Sequence, residues 1–168
     1  MPDLIATLRN LTAAYMEWRR VVVSGNAHRQ RQAITLESGT RSIRGYHPRV
    51  IPGLVQTRNN ATAIFRRTAK FYRAPDDVQT AVDTRMQRQD VLHRGDHRIQ
   101  YLIEEQALYT TVGSDDVMAG QLHHLLVAIR LPRLALAILP RTTEYHAPAT
   151  NFVIHDRKWP WSKPLPQS

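Results

Sequence analysis

Arg49-Val50-Ile51-Pro52-Gly53-Leu54-Val55-Gln56-Thr57 is the stretch on which the reading of the fold turns. Proline presets φ for the second position of a type II turn, and glycine supplies the positive φ of the third. An apolar run folded around a Pro52-Gly53 turn is therefore expected, with a strand leading into it. Thr57 stands where a side-chain oxygen caps a helix, and Ala61, Ile64, Phe65 and Thr68 then recur on one helical face.

Working outward, a helix is expected from about Ala27 to Arg44, with Ile34 and Ile43 inward and the arginines outward. Leu4, Leu8, Leu11, Tyr15, Trp18 and Val22 form a helical stripe, read either as a short heptad seam or as a helix broken at Thr12. Pro75-Asp76-Asp77 starts another helix with acids in its first turn, Val78, Val82 and Met86 on its buried face, and Gly95 as its stop. Ile99 to Ile103 reads as a strand. Ser114 or Asp115 caps a further helix whose Val117, Leu122, Leu125, Leu126 and Ile129 face the core, and Pro132 ends it. Leu134, Leu136 and Ile138 form a strand whose small Ala135 and Ala137 imply a sheet covered on both faces, and Phe152 to Ile154 is a third strand. The expected fold is α+β, four to five helices on a small mixed sheet of about three strands. Residues 1–24 are expected to form an N-terminal helical segment, 25–156 the domain, and 157–168 a disordered proline-rich tail.

Composition narrows the function classes. The chain has 168 residues, 42% of them hydrophobic, enough for one domain with a core. The longest apolar run, Leu134 to Leu139, is too short to span a bilayer, and Met1-Pro2-Asp3 does not begin a signal peptide; a cytoplasmic location and no membrane contact are expected. Without cysteine there are no disulfides, thiolate metal sites or cysteine nucleophiles. Residues 1–75 carry 13 Lys/Arg against 3 acids, whereas residues 76–168 carry 10 against 11. This one-sided charge suits phosphate or an acidic partner, and equally suits a solvated arginine-rich surface.

Arg85, Arg88 and Gln89 lie at i, i+3 and i+4, on one helix face, with Glu37, Glu104 and Glu105 as natural charge partners. Two readings stand: a polar pocket for an effector or a partner's carboxylate, and an ion-pair network tying helices to the sheet. No metal is expected, because His93 and His97 straddle Gly95-Asp96 and the adjacent His123 and His124 point apart. Gly113-Ser114-Asp115 lacks the second glycine of a nucleophile elbow, and no phosphate-binding or dinucleotide glycine motif occurs, so neither an enzyme nor a cofactor is expected. No helix-turn-helix is evident either.

Four blocks carry a family resemblance. They are Arg29-Gln30 through Glu37, Ile43 and Arg44 into Ile51–Thr57; Arg85-Met86-Gln87-Arg88-Gln89 with Leu92; Ile103 to Leu108 with Val112-Gly113; and Val117-Met118, Gln121-Leu122, Leu134 to Pro140 and Phe152. Together they resemble the domain of unknown function that follows the helix-turn-helix in many XRE-type, antitoxin-like bacterial regulators. Asn60 stands where that family has tyrosine, and Glu104 where it has aspartate. The resemblance implies a regulatory domain that binds a small toxin-like partner or an effector, while the helix-turn-helix binds DNA and this domain contacts DNA only indirectly or weakly. Arg85, Arg88, Gln89 and Glu104 would set the pocket, with Pro52, Gly53, Gln56 and Thr57 shaping its wall. Met1 to Arg9 read as the last edge of a missing helix-turn-helix and Trp159 to Pro166 as an early stop, so a regulator fragment cut at both ends is expected. The alternatives are non-sequence-specific nucleic-acid binding through Arg29, Arg31, Arg41 and Arg44, or a degenerate fragment without independent function. The stripe Leu4, Leu8, Leu11, Tyr15, Trp18 and Val22 would serve either packing onto the domain or a homodimer.

Overall fold

The computed structural model describes residues 25–144 and 150–156, and over these the fold is α+β. The N-terminal stripe from Leu4 to Val22 and the proline-rich tail lie outside the described residues. The elements are α1 Asn26–Ser38, β1 Ser42–His47, α2 Arg58–Tyr72, α3 Val78–Arg88, β2 Arg98–Glu104, α4 Gln106–Tyr109, α5 Asp115–Ala128, β3 Leu134–Leu139 and β4 Phe152–Asp156. Short 3-10 turns occupy Gly53–Val55 and Gln89–Leu92. No described helix is long and apolar enough to cross a membrane.

The sheet order is β3-β2-β1-β4, one strand more than expected. β1, β2 and β3 run parallel and β4 runs antiparallel to β1. Parallel neighbours need crossover connections, here supplied by α2 and α3 between β1 and β2 and by α4 and α5 between β2 and β3. Ile43, Ile99, Tyr101 and Ile103 point to one face and pack with Leu54, Val55, Leu125 and Leu134. Ile43 and Ile103 are fully buried, and each contributes about 1.5–3 kcal/mol by the usual value for burying such a side chain. A second cluster, Ala27, Ala61, Phe65, Val78, Ala81 and Val82, joins α1, α2 and α3.

Several expectations are corrected. The helix drawn to Arg44 ends at Ser38, where the Gly39 amide bonds back to the Glu37 carbonyl and the Thr40 hydroxyl donates to the Leu36 carbonyl at 2.7 Å. Residues 42–47 then become the central strand, so the strand precedes the Pro-Gly motif with residues 48–50 between them. Gly53 is absent from the described positive-φ glycines, and it opens a 3-10 turn rather than completing a type II turn. Its missing side chain serves a close approach instead: a Cβ there would lie 3.2 Å from the Arg85 guanidinium carbon. α5 is rotated from the expected orientation. Met118, Gln121, Leu125 and Ala128 are buried, while Leu122, Leu126 and Ile129 are exposed. Ala135 and Ala137 are also exposed, so the expected second cover on the sheet is not found among the described residues.

Other local expectations match the structure. The Thr57 side chain accepts from the Asn60 amide and Ser114 from the Val117 amide, capping α2 and α5. Asp77 departs from its expected role, because α3 begins after it and its carboxylate makes no cap bond to that helix. The Ala27 amide donates to Asp77 Oδ2 at 2.7 Å, so the acid sits on the N-terminus of α1, where an orphan donor and the helix dipole both favour it. Gly25 makes room with φ +91°, since a Cβ there would lie 2.5 Å from Asp77 Oδ2. Replacement Asp77→Ala is expected to cost about 0.5–2 kcal/mol, the range for a lost helix cap, read from the denaturant midpoint.

His47 closes β1 with its ring edge-on to Tyr101, centroids 5.3 Å apart. Burial pushes its pKa from 6.5 down to about 4. The unfolded chain therefore takes up this proton first, and the stability associated with neutral His47 is complete above pH 6.5 and falls as pH drops toward 4. The His47→Gln variant should show a flatter loss of stability between pH 6.5 and 4 than the parent, measured by denaturant titration at each pH.

Candidate functional site

Arg85 and Arg88 on α3, with Gln89 in the 3-10 turn that continues it, share the face that meets α1 and the Ile51–Thr57 loop. Arg88 binds Glu37 through two bonds, Nε to Oε2 at 2.9 Å and Nη2 to Oε1 at 2.5 Å, with both side chains nearly buried. The Arg88 Nη1 and Arg85 Nε groups both donate to Gln30 Oε1. Arg85 Nη1 donates to Gln56 Oε1, and its guanidinium lies over the Phe65 ring at 4.3 Å. Burial, reinforced by the neighbouring Arg88 charge, lowers the Arg85 pKa to about 9, so it remains a cation at neutral pH.

The remaining amides hold the loop backbone. Gln89 Nε2 donates to the Gln56 carbonyl at 2.6 Å and more weakly to Gly53 at 3.4 Å. Gln56 Nε2 donates to the Ile51 carbonyl at 2.7 Å. From the other side, the fully buried Gln121 of α5 accepts from the Thr57 amide at 2.7 Å and donates to the Val55 carbonyl at 2.8 Å. Seven of the eight residues singled out for the pocket thus converge: Arg85, Arg88, Gln89, Pro52, Gly53, Gln56 and Thr57. Their hydrogen bonds run to one another and to the framework. Gln30 and Gln121, which complete the network, carry no charge by which the sequence would mark them.

Glu104 stands apart. β2 alternates, so Ile103 enters the core while Glu104 shares the outer face and bonds the Tyr46 hydroxyl. Glu105 instead accepts from the Arg141 amide at 2.9 Å and more weakly from the Tyr109 hydroxyl at 3.3 Å. The outer face carries a trough of about 720 Å³ across three strands and β4. Leu102, Ala135 and Ala137 contribute an apolar surface, Phe152 stacks on Tyr46 at 5.7 Å, and Arg44 and Gln100 bring polar groups. Such a recess, apolar with a few polar groups at its border, is the usual form of a binding site.

The four arginines of the nucleic-acid alternative are dispersed. Arg29 donates to Asn26 Oδ1 at 3.0 Å and Arg31 is exposed elsewhere on α1. Arg41 pairs with Asp96 at 2.5 Å, and Arg44 lies in the trough. Removing one partner of a buried ion pair strands the other charge, at a cost of about 3–5 kcal/mol. Arg88→Ala should therefore lower the unfolding free energy by that amount, with Glu37→Gln in the same chain recovering part of the loss, both read by chemical denaturation.

No curated protein and no solved structure matches the chain. A family model described as a domain of unknown function (DUF5753) matches residues 30–163, a span that takes in both the buried network and the outer-face trough. The chain belongs to this DUF5753 family.

Proposed function

We propose that the chain is a regulatory domain that binds a protein partner or effector on the outer face of its sheet, as part of an XRE-type, antitoxin-like transcriptional regulator in which a helix-turn-helix reads the DNA. The observation that carries this reading is the trough: an apolar floor with small residues, laid chiefly on the parallel strands of the mixed sheet, a face that parallel strands ordinarily keep covered. Its chemistry suits an apolar body with an acidic or hydrogen-bonding edge, met by Arg44 and Gln100. The four sequence blocks that resemble the regulator family support the wider assignment. In this reading the Arg85–Arg88–Gln89 network holds the framework, and Glu104 belongs to the binding face through Tyr46.

Ala137 is exposed, so Ala137→Arg should change stability by no more than about 0.5 kcal/mol while filling the floor. It should abolish capture of the protein's partner from native cell extract, whereas Arg58→Ala, on α2 and outside the trough, should leave capture intact. Capture that survives Ala137→Arg with the variant fully folded would sink the proposal.

A further inference from the structure

Helix α2 carries Arg66, Arg67 and Lys70, and Arg73 follows as its C-cap; all four are exposed. Arg66 and Lys70 are spaced i and i+4 on one face of α2, and Arg73, the left-handed residue just past its C-terminus, lines the same recess, so the three are strung over about 10 Å at 1.5 Å per residue. Three other described arginines are paired with acids: Arg58 on the same helix with Asp83 at 2.5 Å, Arg41 with Asp96 and Arg88 with Glu37. Among the described residues, Arg66, Arg67, Lys70 and Arg73 make no ion pair or side-chain hydrogen bond. The helix dipole favours Lys70 and Arg73 near its C-terminus, but it does not account for Arg66 and Arg67 a turn earlier. Like charges at i and i+4 also repel.

The stripe borders a recess of about 430 Å³ lined by Arg66, Lys70 and Arg73, with Ala69, Ala74 and Val78 as its apolar part and one carboxylate, Asp76. The cations are strung along a line rather than gathered on a point. That arrangement fits a linear polyanion better than a small one: each strand of a duplex presents a phosphate about every 3.4 Å along the axis, so about 10 Å of stripe spans roughly three. The excess positive charge of residues 1–75 would add attraction at longer range.

We propose that the C-terminal half of α2, together with its cap residue Arg73, is a phosphate-backbone contact face for duplex nucleic acid, with Arg66, Lys70 and Arg73 each meeting a phosphate and Arg67 flanking them. The contact is independent of base sequence, because nothing on this face is arranged to read base edges. It positions the domain on a duplex whose sequence is read elsewhere. It is separate from the outer-face trough, so either reading can fail alone.

The test is fluorescence anisotropy of the full 168-residue chain with a labelled random-sequence duplex across a salt series. Three phosphate contacts predict a slope of log K against log salt of about −2.7, at 0.9 per phosphate. The triple variant Arg66→Gln, Lys70→Gln, Arg73→Asn should lose at least about tenfold in affinity at low salt and flatten the slope toward zero. Asparagine is chosen at 73 because that residue has φ +51°, which asparagine tolerates. Circular dichroism melts confirm that the variant is folded. The quadruple variant Arg29→Gln, Arg31→Gln, Arg41→Gln, Arg44→Gln should retain most of the binding. The proposal is overturned by absence of duplex binding, by a slope the α2 triple variant leaves unchanged, or by binding only to phosphatidylserine vesicles, which would assign the stripe to a membrane surface.

Discussion

The carboxylate of Glu37 and the guanidinium of Arg88 meet in the interior, and much of the rest is arranged to make that tolerable. A buried ion pair is costly to desolvate, and the cost is offset only when the remaining donors and acceptors are also satisfied. Gln30 bridges Arg88 to Arg85, Arg85 reaches Gln56, and Gln89 reaches the backbone of the same loop. Gln121 grips that loop from the opposite side. Helices α1, α3 and α5 are thereby fixed around residues 51–57, a segment that has little regular structure of its own. Apolar packing would hold these helices together in many relative positions. The polar chain selects one.

That selection accounts for features which hydrophobicity alone would misplace. α5 turns Gln121 inward and leaves Leu122 and Leu126 exposed, because an amide is needed where the loop presents the Val55 carbonyl and the Thr57 amide. Gly53 lets the Arg85 guanidinium lie close, since a Cβ there would stand 3.2 Å from its central carbon. The same logic sets the division of labour between the two sides of the sheet: polar side chains on the helical side are consumed in holding the fold, while among the described residues Arg44 and Gln100 on the outer side border the trough.

What was legible in the sequence follows how local each cause is. The Thr57 and Ser114 caps need only neighbours three residues away, and both stood out from composition and position. β2, β3 and β4 announced themselves as runs of β-branched or apolar residues. β1 did not. Ile34 and Ile43, nine residues apart, would fall on opposite sides of a helix, and pairing with β2 on one side and β4 on the other makes residues 42–47 a strand. In the network, the spacing of Arg85, Arg88 and Gln89 revealed a shared face, and Glu37 was marked by its charge. Glu104 carried the same charge signal, yet strand alternation sends it to the other side. Gln30 and Gln121 fall within the blocks that carry the resemblance, but their residue type gave no sign of this role, since a neutral amide is written the same way whether it faces water or a buried carbonyl.

The pairing of β1 has a kinetic side as well. Ser42 lies beside Arg98 in one direction and Asp156 in the other, partners 56 and 114 residues along the chain. Closing such loops precedes any reward from the contacts they allow, which slows folding relative to helical proteins of the same size. During synthesis the central strand emerges early, yet its second edge waits for one of the last described segments to leave the ribosome. Until then the nascent chain carries an open backbone edge next to Ile43 and Tyr46, the kind of surface that recruits other strands and that chaperones shield.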